Sequence, residues 1–413
     1  SFALIGIMYF FVNIQRAAIP GAIFDTLQAD FKANAGQITA LGAILMYIYA
    51  IMQLVLGVLI ERFSGKKIIK IGSIFFCLGS ILFVFAKNIP FLYFSRFLVA
   101  IGVSSYYLSL ISELKQSVAQ RNYALYLSVI LFVGYLGGIF ANAPFVVMVN
   151  HIGWRLSLLI FAILSIFFSV IYYFVANKAN SAKIKSSKKI NFNLYKKVLK
   201  SHTNLKAIIY ACAIYGSFYV LQTVIGKKFL QDFCQFSSIK SATIMSVTAT
   251  LYALSGILLA FLSKEFYHRK IFFLKVVSSI SCLLVLGICT CLILNIKTSF
   301  IAVAFCILAL GASISSLLVP YLQDVNKKGS SIAISLMIFA MYMMVGFLGN
   351  TTGFFLNLFP SKMVHGTVIY STNSYLSLFV FMFVLMFIAM IAVFRLDESK
   401  KIRKLIGIYT PHN

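Results

Sequence analysis

Gly57-Val58-Leu59-Ile60-Glu61-Arg62-Phe63-Ser64-Gly65-Lys66-Lys67 separates two long apolar runs. It packs an acid, a base, a turn glycine and two lysines into one short connection. Gly65 offers the positive φ that a sharp reversal needs, and Gly57 lets neighbouring helices approach closely. Charges at a hydrocarbon boundary are tolerated where they face water, and an excess of Lys and Arg there marks the cytoplasmic side. The stretch predicts where one span ends, where the next begins and which way both point.

Outward from this loop, the chain is 61% hydrophobic and 11% charged over 413 residues. No water-soluble fold needs that much apolar surface. A membrane-crossing helix takes about 20 apolar residues, and only helices or closed barrels satisfy their backbone in lipid. Runs this continuous read as helices. They fall at 2–26, 37–60, 68–87, 91–112, 122–149 and 155–176, then at 204–226, 240–262, 271–295, 298–322, 330–358 and 372–394. The prediction is an all-α membrane protein of twelve spans, with a six-helix bundle over 1–176 and a second over 204–395. A basic cytoplasmic linker over 177–203 joins them, and 396–413 forms a cytoplasmic tail.

A formal charge of +27 would point to nucleic acid in a soluble protein. Here most of the positive charge lies in loops. With both termini inside, 26 of the 36 Lys and Arg residues fall on the cytoplasmic side, as the positive-inside rule requires. The linker, rich in lysine from Lys178 to Lys200, reads as a hydrated segment able to lie along anionic headgroups. Nucleic acid is not an expected partner. The five histidines (His151, His202, His268, His365 and His412) fall in loops or the tail, so neither a metal nor a cofactor is expected within the membrane. Six of the seven cysteines lie in apolar runs and form no zinc-ligand pattern, and a disulfide framework is not expected. The first run reads as a span rather than a signal peptide, because no small-residue cleavage site follows it.

Nine acids are thinly spread, and none sits near the middle of an expected span. Asp25 is near the outer end of the first span, whereas Glu113 and Asp324 are near the inner ends of the fourth and tenth. Arg16 differs from these. It lies about 21 Å along the first run at the helical rise, a depth at which an arginine should face a cavity or a partner. Tyr9, Asn13 and Arg16 share one helical face. Tyr215, Tyr219 and Gln222 repeat that spacing in the seventh run. Tyr49, Gln53, Tyr106, Tyr107, Tyr135, Tyr342 and Asn350 are further amphipathic candidates to line a binding site. The same stripes also suit hydrogen bonds between helices, so both readings stand at this point.

The opening stretch resembles the loop motif of the major facilitator superfamily, G-x-x-x-D-R-x-x-G-R-R, between its second and third helices. Gly57, Arg62, Gly65, Lys66 and Lys67 match in kind, and Glu61 replaces the usual aspartate. The resemblance implies two parallel bundles around a central cavity, alternating access, and a cytoplasmic gate formed by Gly57, Glu61, Arg62, Gly65, Lys66 and Lys67. A degenerate second copy, Ala260 to Lys270, follows the eighth run and agrees at Leu59/Leu262, Phe63/Phe266, Lys66/Arg269 and Lys67/Lys270. Arg96 with downstream Gly102 is similar to a second motif of the family. The fifth run lacks the glycine-proline pair usual in its drug–proton exporters and carries Ala143-Pro144 instead.

Between Tyr9 and Gly57 the chain most resembles the bacterial phagosomal nutrient transporter group, through Gln15-Arg16-Ala17, Tyr47-Ile48-Tyr49 and Met52-Gln53-Leu54. That likeness implies uptake of an amino acid or other small carboxylate-bearing nutrient across a bacterial inner membrane. Its partners would be the solute, the bilayer and a coupling proton or ion, with the chain working as a monomer. Alternatives are a drug or metabolite exporter and a non-transporting nutrient receptor. Enzyme chemistry lacks parts, since no histidine, cysteine or carboxylate cluster meets at one depth.

Overall fold

The computed structural model describes residues 2–118, 120–177, 196, 198–265, 270–313, 315–326, 330–364 and 367–396. Most of the 177–203 linker, Phe266–Arg269 of the second loop copy and nearly all of the tail lie outside these residues, as do the side chains of Gly57, Glu61 and Arg62.

Helices dominate. In order they are α1 (Phe2–Ala18), α2 (Phe24–Phe31), α3 (Ala35–Arg62), α4 (Gly65–Val84), α5 (Ile89–Ser117), α6 (Gln120–Phe140), α7 (Ala143–Ile152) and α8 (Trp154–Asn177). Next come α9 (His202–Val220), α10 (Gly226–Asp232), α11 (Ser238–Glu265), α12 (Lys270–Ile293), α13 (Phe300–Ala312), α14 (Ser315–Val325) and α15 (Ser330–Asn357). A short antiparallel pair, β1 (Lys362–Val364) and β2 (Thr367–Ile369), precedes α16 (Thr372–Phe394).

Among the described residues, nine helical stretches are long and apolar enough to cross a membrane, and two bent helix pairs raise the number to eleven. The bends are 51° between α1 and the 21–31 segment, and 47° between α6 and α7. The remaining expected segment, 240–262, falls within α11, whose residues 260–265 have side chains outside the described ones.

Local sequence explains the breaks and starts. Pro20 has no N–H and cannot continue the helix, so the expected 2–26 span splits into α1, a tight turn and α2. Pro144 does the same at the start of α7, where Ser246 Oγ accepts the Ala143 N–H at 2.9 Å. Asn34 and Gln37 cap α3 reciprocally at 2.9 and 3.0 Å. Ser64 caps α4 and Asn88 caps α5.

Gly65 corrects the reading of the loop. It is the first residue of α4, and Gly153 is the one glycine at positive φ among the described residues. What Gly65 provides is proximity, since a Cβ there would lie 2.5 Å from Ser109 O of α5.

The chain forms two compact units, one of residues 1–188, 220–250 and 346–374, the other of 189–219, 251–345 and 375–413. In the first, α4 packs on α5 and α8, and α1 lies along α6. Phe11, Phe76, Phe83, Phe145 and Trp154 fill its interior. In the second, Tyr210 donates to Leu274 O at 3.2 Å, and the Asn204 and Asn326 amides bond reciprocally at 3.0 and 2.8 Å. Large apolar side chains such as Ile74, Phe174, Leu283 and Phe354 are exposed, as lipid-facing surfaces require. Packing and interhelical hydrogen bonds carry helix association in such surroundings.

Candidate functional site

The break in α1 is held open by a buried arginine. Arg96, in the second turn of α5, is fully enclosed and donates to Gln15 O at 3.0 Å, Ile19 O at 3.2 Å and Leu41 O at 3.2 Å. Gln15 O lies in the last turn of α1 and Ile19 O just beyond it, where Pro20 has no N–H to carry the helix on. The third comes from α3. One guanidinium thereby fixes the end of α1 against α3 and α5.

Arg16 stands in that same last turn, next to Gln15, and is 7% exposed. Its guanidinium carbon lies 5.0 Å from the centroid of the Tyr49 ring of α3. The pair brings together two residues singled out from the sequence. A cation over an aromatic face is attracted by the ring quadrupole, and more strongly where water is excluded.

Other expected residues of the first unit are more dispersed. Asn13 donates to Tyr9 O of its own helix at 2.8 Å, and both side chains pack on α6 at Gly134. Gln53 Nε2 reaches Ser104 O of α5 at 3.4 Å. Tyr106 is buried edge-on against Phe76, while Tyr107 is half-buried and Tyr135 exposed. Asn350 donates to Tyr47 Oη at 3.4 Å. Gln222 sits in a wide helical turn, Leu221–Ile225, between α9 and α10. Its amide donates to Met245 O at 2.9 Å and accepts from Thr248, so it fastens that turn to α11.

In the second unit the expected tyrosines do meet. Tyr215 lies 5.4 Å from Tyr219 and 5.8 Å from Tyr342, ring centre to ring centre. Phe218 stacks on Tyr252 at 5.1 Å. A polar group adjoins them, in which Ser255 Oγ donates to Ser313 Oγ at 2.9 Å.

At the 57–67 loop, Glu113 of α5 accepts the Lys66 N–H at 2.9 Å and lies 3.9 Å from Lys66 Nζ. A carboxylate at a helix start is favoured by the unpaired N–H groups there. Lys67 lies 4.8 Å from the Phe63 ring centre. The gate contacts expected of Gly57, Glu61 and Arg62 fall outside the described side chains. In the second unit, Lys270 Nζ lies 3.0 Å from Asp324 Oδ2.

One cluster went unread in the sequence. Lys228 of α10 is 2% exposed and lies 2.6 Å from Asp25 of α2 and 2.9 Å from Asp232. It also donates to Val368 O of β2 at 2.5 Å. Asp232 accepts the Tyr370 N–H at 3.0 Å, and Gln28 donates to Tyr370 Oη at 2.6 Å. Burial pushes the Tyr370 hydroxyl up to about 12, so it stays protonated at neutral pH. The Lys228/Asp232 spacing of i, i+4 was the available signal. At the same end of the first unit, α3 meets α15 so closely that a Cβ on Gly353 would lie 2.5 Å from Gly36 Cα.

Residues 5–353 match the model of the Major Facilitator Superfamily. The chain belongs to the major facilitator superfamily. Its fold is similar to a bacterial homologue of the human lysosomal transporter Spinster, in an inward-facing and occupied conformation (TM-score 0.75, 16% identity, 100% of this chain and 98% of that one). It is also similar to a mutant of the nucleoside transporter NupG (TM-score 0.70, 12% identity, 95% of this chain and 100% of that one).

Sequence relatives of this superfamily member include putative polyol transporter 2 of Arabidopsis thaliana, 35% identical over 107 residues, or 25% of this chain and 20% of the relative. Another is the probable sulfoacetate transporter SauU of Cupriavidus necator, 24% identical over 170 residues, or 41% of this chain and 39% of the relative. The matched portions thus span about a fifth and two fifths of these curated relatives. The likeness covers transporters of differing solutes.

Proposed function

We propose that this protein is a secondary transporter that takes up a small carboxylate-bearing solute, such as an amino acid, by alternating access of two six-helix bundles, 1–176 and 204–395. Both termini are cytoplasmic on this reading, the 57–67 loop is a cytoplasmic gate, and the Lys228 end faces outward. The observation that carries the substrate class is the buried Arg16 guanidinium, 5.0 Å from the Tyr49 ring centre, in the helix end that Arg96 holds through Gln15 O. A guanidinium binds a carboxylate through two parallel N–H donors, and a low surrounding dielectric strengthens that contact. A sulfoacetate transporter among the relatives, whose named solute is a small organic anion, agrees with an anion-binding site.

The test is uptake into liposomes by the purified protein, with and without a proton gradient, across radiolabelled amino acids, sulfonates, polyols and nucleosides. Accumulation of an acid supports the reading, and a gradient dependence establishes symport. Transport confined to polyols or nucleosides refutes the carboxylate assignment. Binding without flux returns the protein to the receptor class.

A further inference from the structure

We propose that the β1–β2 strand pair, together with Tyr370, is an outer strap latched by Lys228, and that it lifts whenever this end of the transporter opens. The inference rests on the alternating-access reading above. Lys228 Nζ lies within ion-pair distance of Asp25 Oδ1 and Asp232 Oδ1 and donates to Val368 O. These come from three stretches far apart in sequence. Lys228 is thus paired with two carboxylates and enclosed, at a point where α2, α10 and the strand pair converge.

The strap has further anchors on the same two partners. Tyr370 N–H is held by Asp232, its hydroxyl by Gln28, and its ring packs edge-on to Phe24 at 6.4 Å between centres. The strands themselves are short, and β1 is exposed throughout, so few apolar contacts hold it down. Polar contacts to buried charges therefore supply most of what keeps the strap in place. Such contacts re-form in water at small cost once the site is wetted, which suits a part that detaches and returns. Lys227, one residue earlier, donates to Ala22 O at 2.7 Å and ties α10 to the turn before α2 by a separate contact.

The test uses native Cys234, which is 7% exposed and two residues beyond Asp232. Purified protein in detergent is treated with a charged maleimide, and Cys234 modification is followed by mass spectrometry. Amide hydrogen exchange of the peptide covering 362–370 is measured in parallel. The variant Asp25→Asn/Lys228→Met/Asp232→Asn removes all three latch charges together, while Lys227 keeps its separate bond to Ala22 O. Conformational couplings of this kind are typically about 5- to 150-fold, so both labelling and strand exchange should speed up together by about tenfold. Gln28→Leu/Tyr370→Phe, which leaves the ions intact, should give a smaller joint increase and serves if the triple variant does not fold. Unchanged rates in a folded variant, or a change in one readout without the other, overturn the proposal. Neither readout uses a substrate, so a protein that transports nothing would refute the proposed function by a different measurement.

Discussion

Lys270 and Asp324 form a buried ion pair, 3.0 Å apart, that repeats in the second unit the meeting of Lys66 with Glu113 in the first. In each case a lysine at the start of one helix (α4 or α12) faces an acid near the end of another (α5 or α14). The second loop copy has His268 where the first has Gly65 and its charges are shuffled, yet it keeps this pair. A gapless alignment sets Lys270 against Lys67, whereas the ion pair makes Lys66 its counterpart.

Removing one member of such a pair leaves an uncompensated buried charge, at a typical cost of about 3–5 kcal/mol. Lys270→Met should lower the thermal midpoint in detergent clearly, and Lys270→Met/Asp324→Leu should recover part of the loss. A double variant as unstable as the single one would mean that the pair has no such coupling.

Glu113→Gln keeps an oxygen for the Lys66 N–H but removes the charge that faces Lys66 Nζ. If the loop is a gate, turnover should fall while equilibrium affinity stays within a few-fold, since couplings between states are about 1–3 kcal/mol. Stopped-flow uptake beside equilibrium binding separates the two. Equal losses in both would make Glu113 part of the binding machinery.

The spans were legible because apolar runs of this length have one physical solution in lipid. The Arg16–Tyr49 pair was legible in its parts, since a charge deep in a run demands a partner. Three features were hidden. Hydropathy averages across Pro20-Gly21, so the break in α1 disappeared into the 2–26 run, although the dipeptide itself is a turn signal. Arg96 reaches Ile19 O because that break exists, and no residue type announces a freed carbonyl. Lys228 closes the seventh span just past the expected 204–226 run, where a lysine reads as loop charge until its acids are brought to it by the fold. Tyr106 and Gln222 show the converse, with polar groups on plausible faces that serve packing and a helix turn instead.

Arg96→Lys retains charge but offers no planar fork to three carbonyls. Leaving buried acceptors unsatisfied costs about 1–3 kcal/mol each. The variant should be less stable, and it should also weaken solute binding by displacing the last turn of α1. A drop in thermal midpoint with unchanged affinity would confine Arg96 to a stabilising role remote from Arg16.

Gly353→Val places a side chain where α15 meets α3 at Gly36. Closure of the Lys228 end should be disfavoured, so Cys234 should become more reactive toward charged maleimides in a protein that still inserts normally. Unchanged Cys234 reactivity in the well-folded variant would show that the helices separate elsewhere.

The carboxylate anchor is tested most directly by comparing Arg16→Ala, Arg16→Lys and the parent for binding of one transported acid and its amide-blocked form, with thermal midpoints from the same preparation. Loss of one partner of a desolvated pair is worth about 3–5 kcal/mol, or some hundred- to thousand-fold in affinity. The account predicts that both variants fold, that both lose affinity for the free acid on this scale, and that neither distinguishes acid from amide. A folded Arg16→Ala protein that prefers the free acid as strongly as the parent does would contradict it.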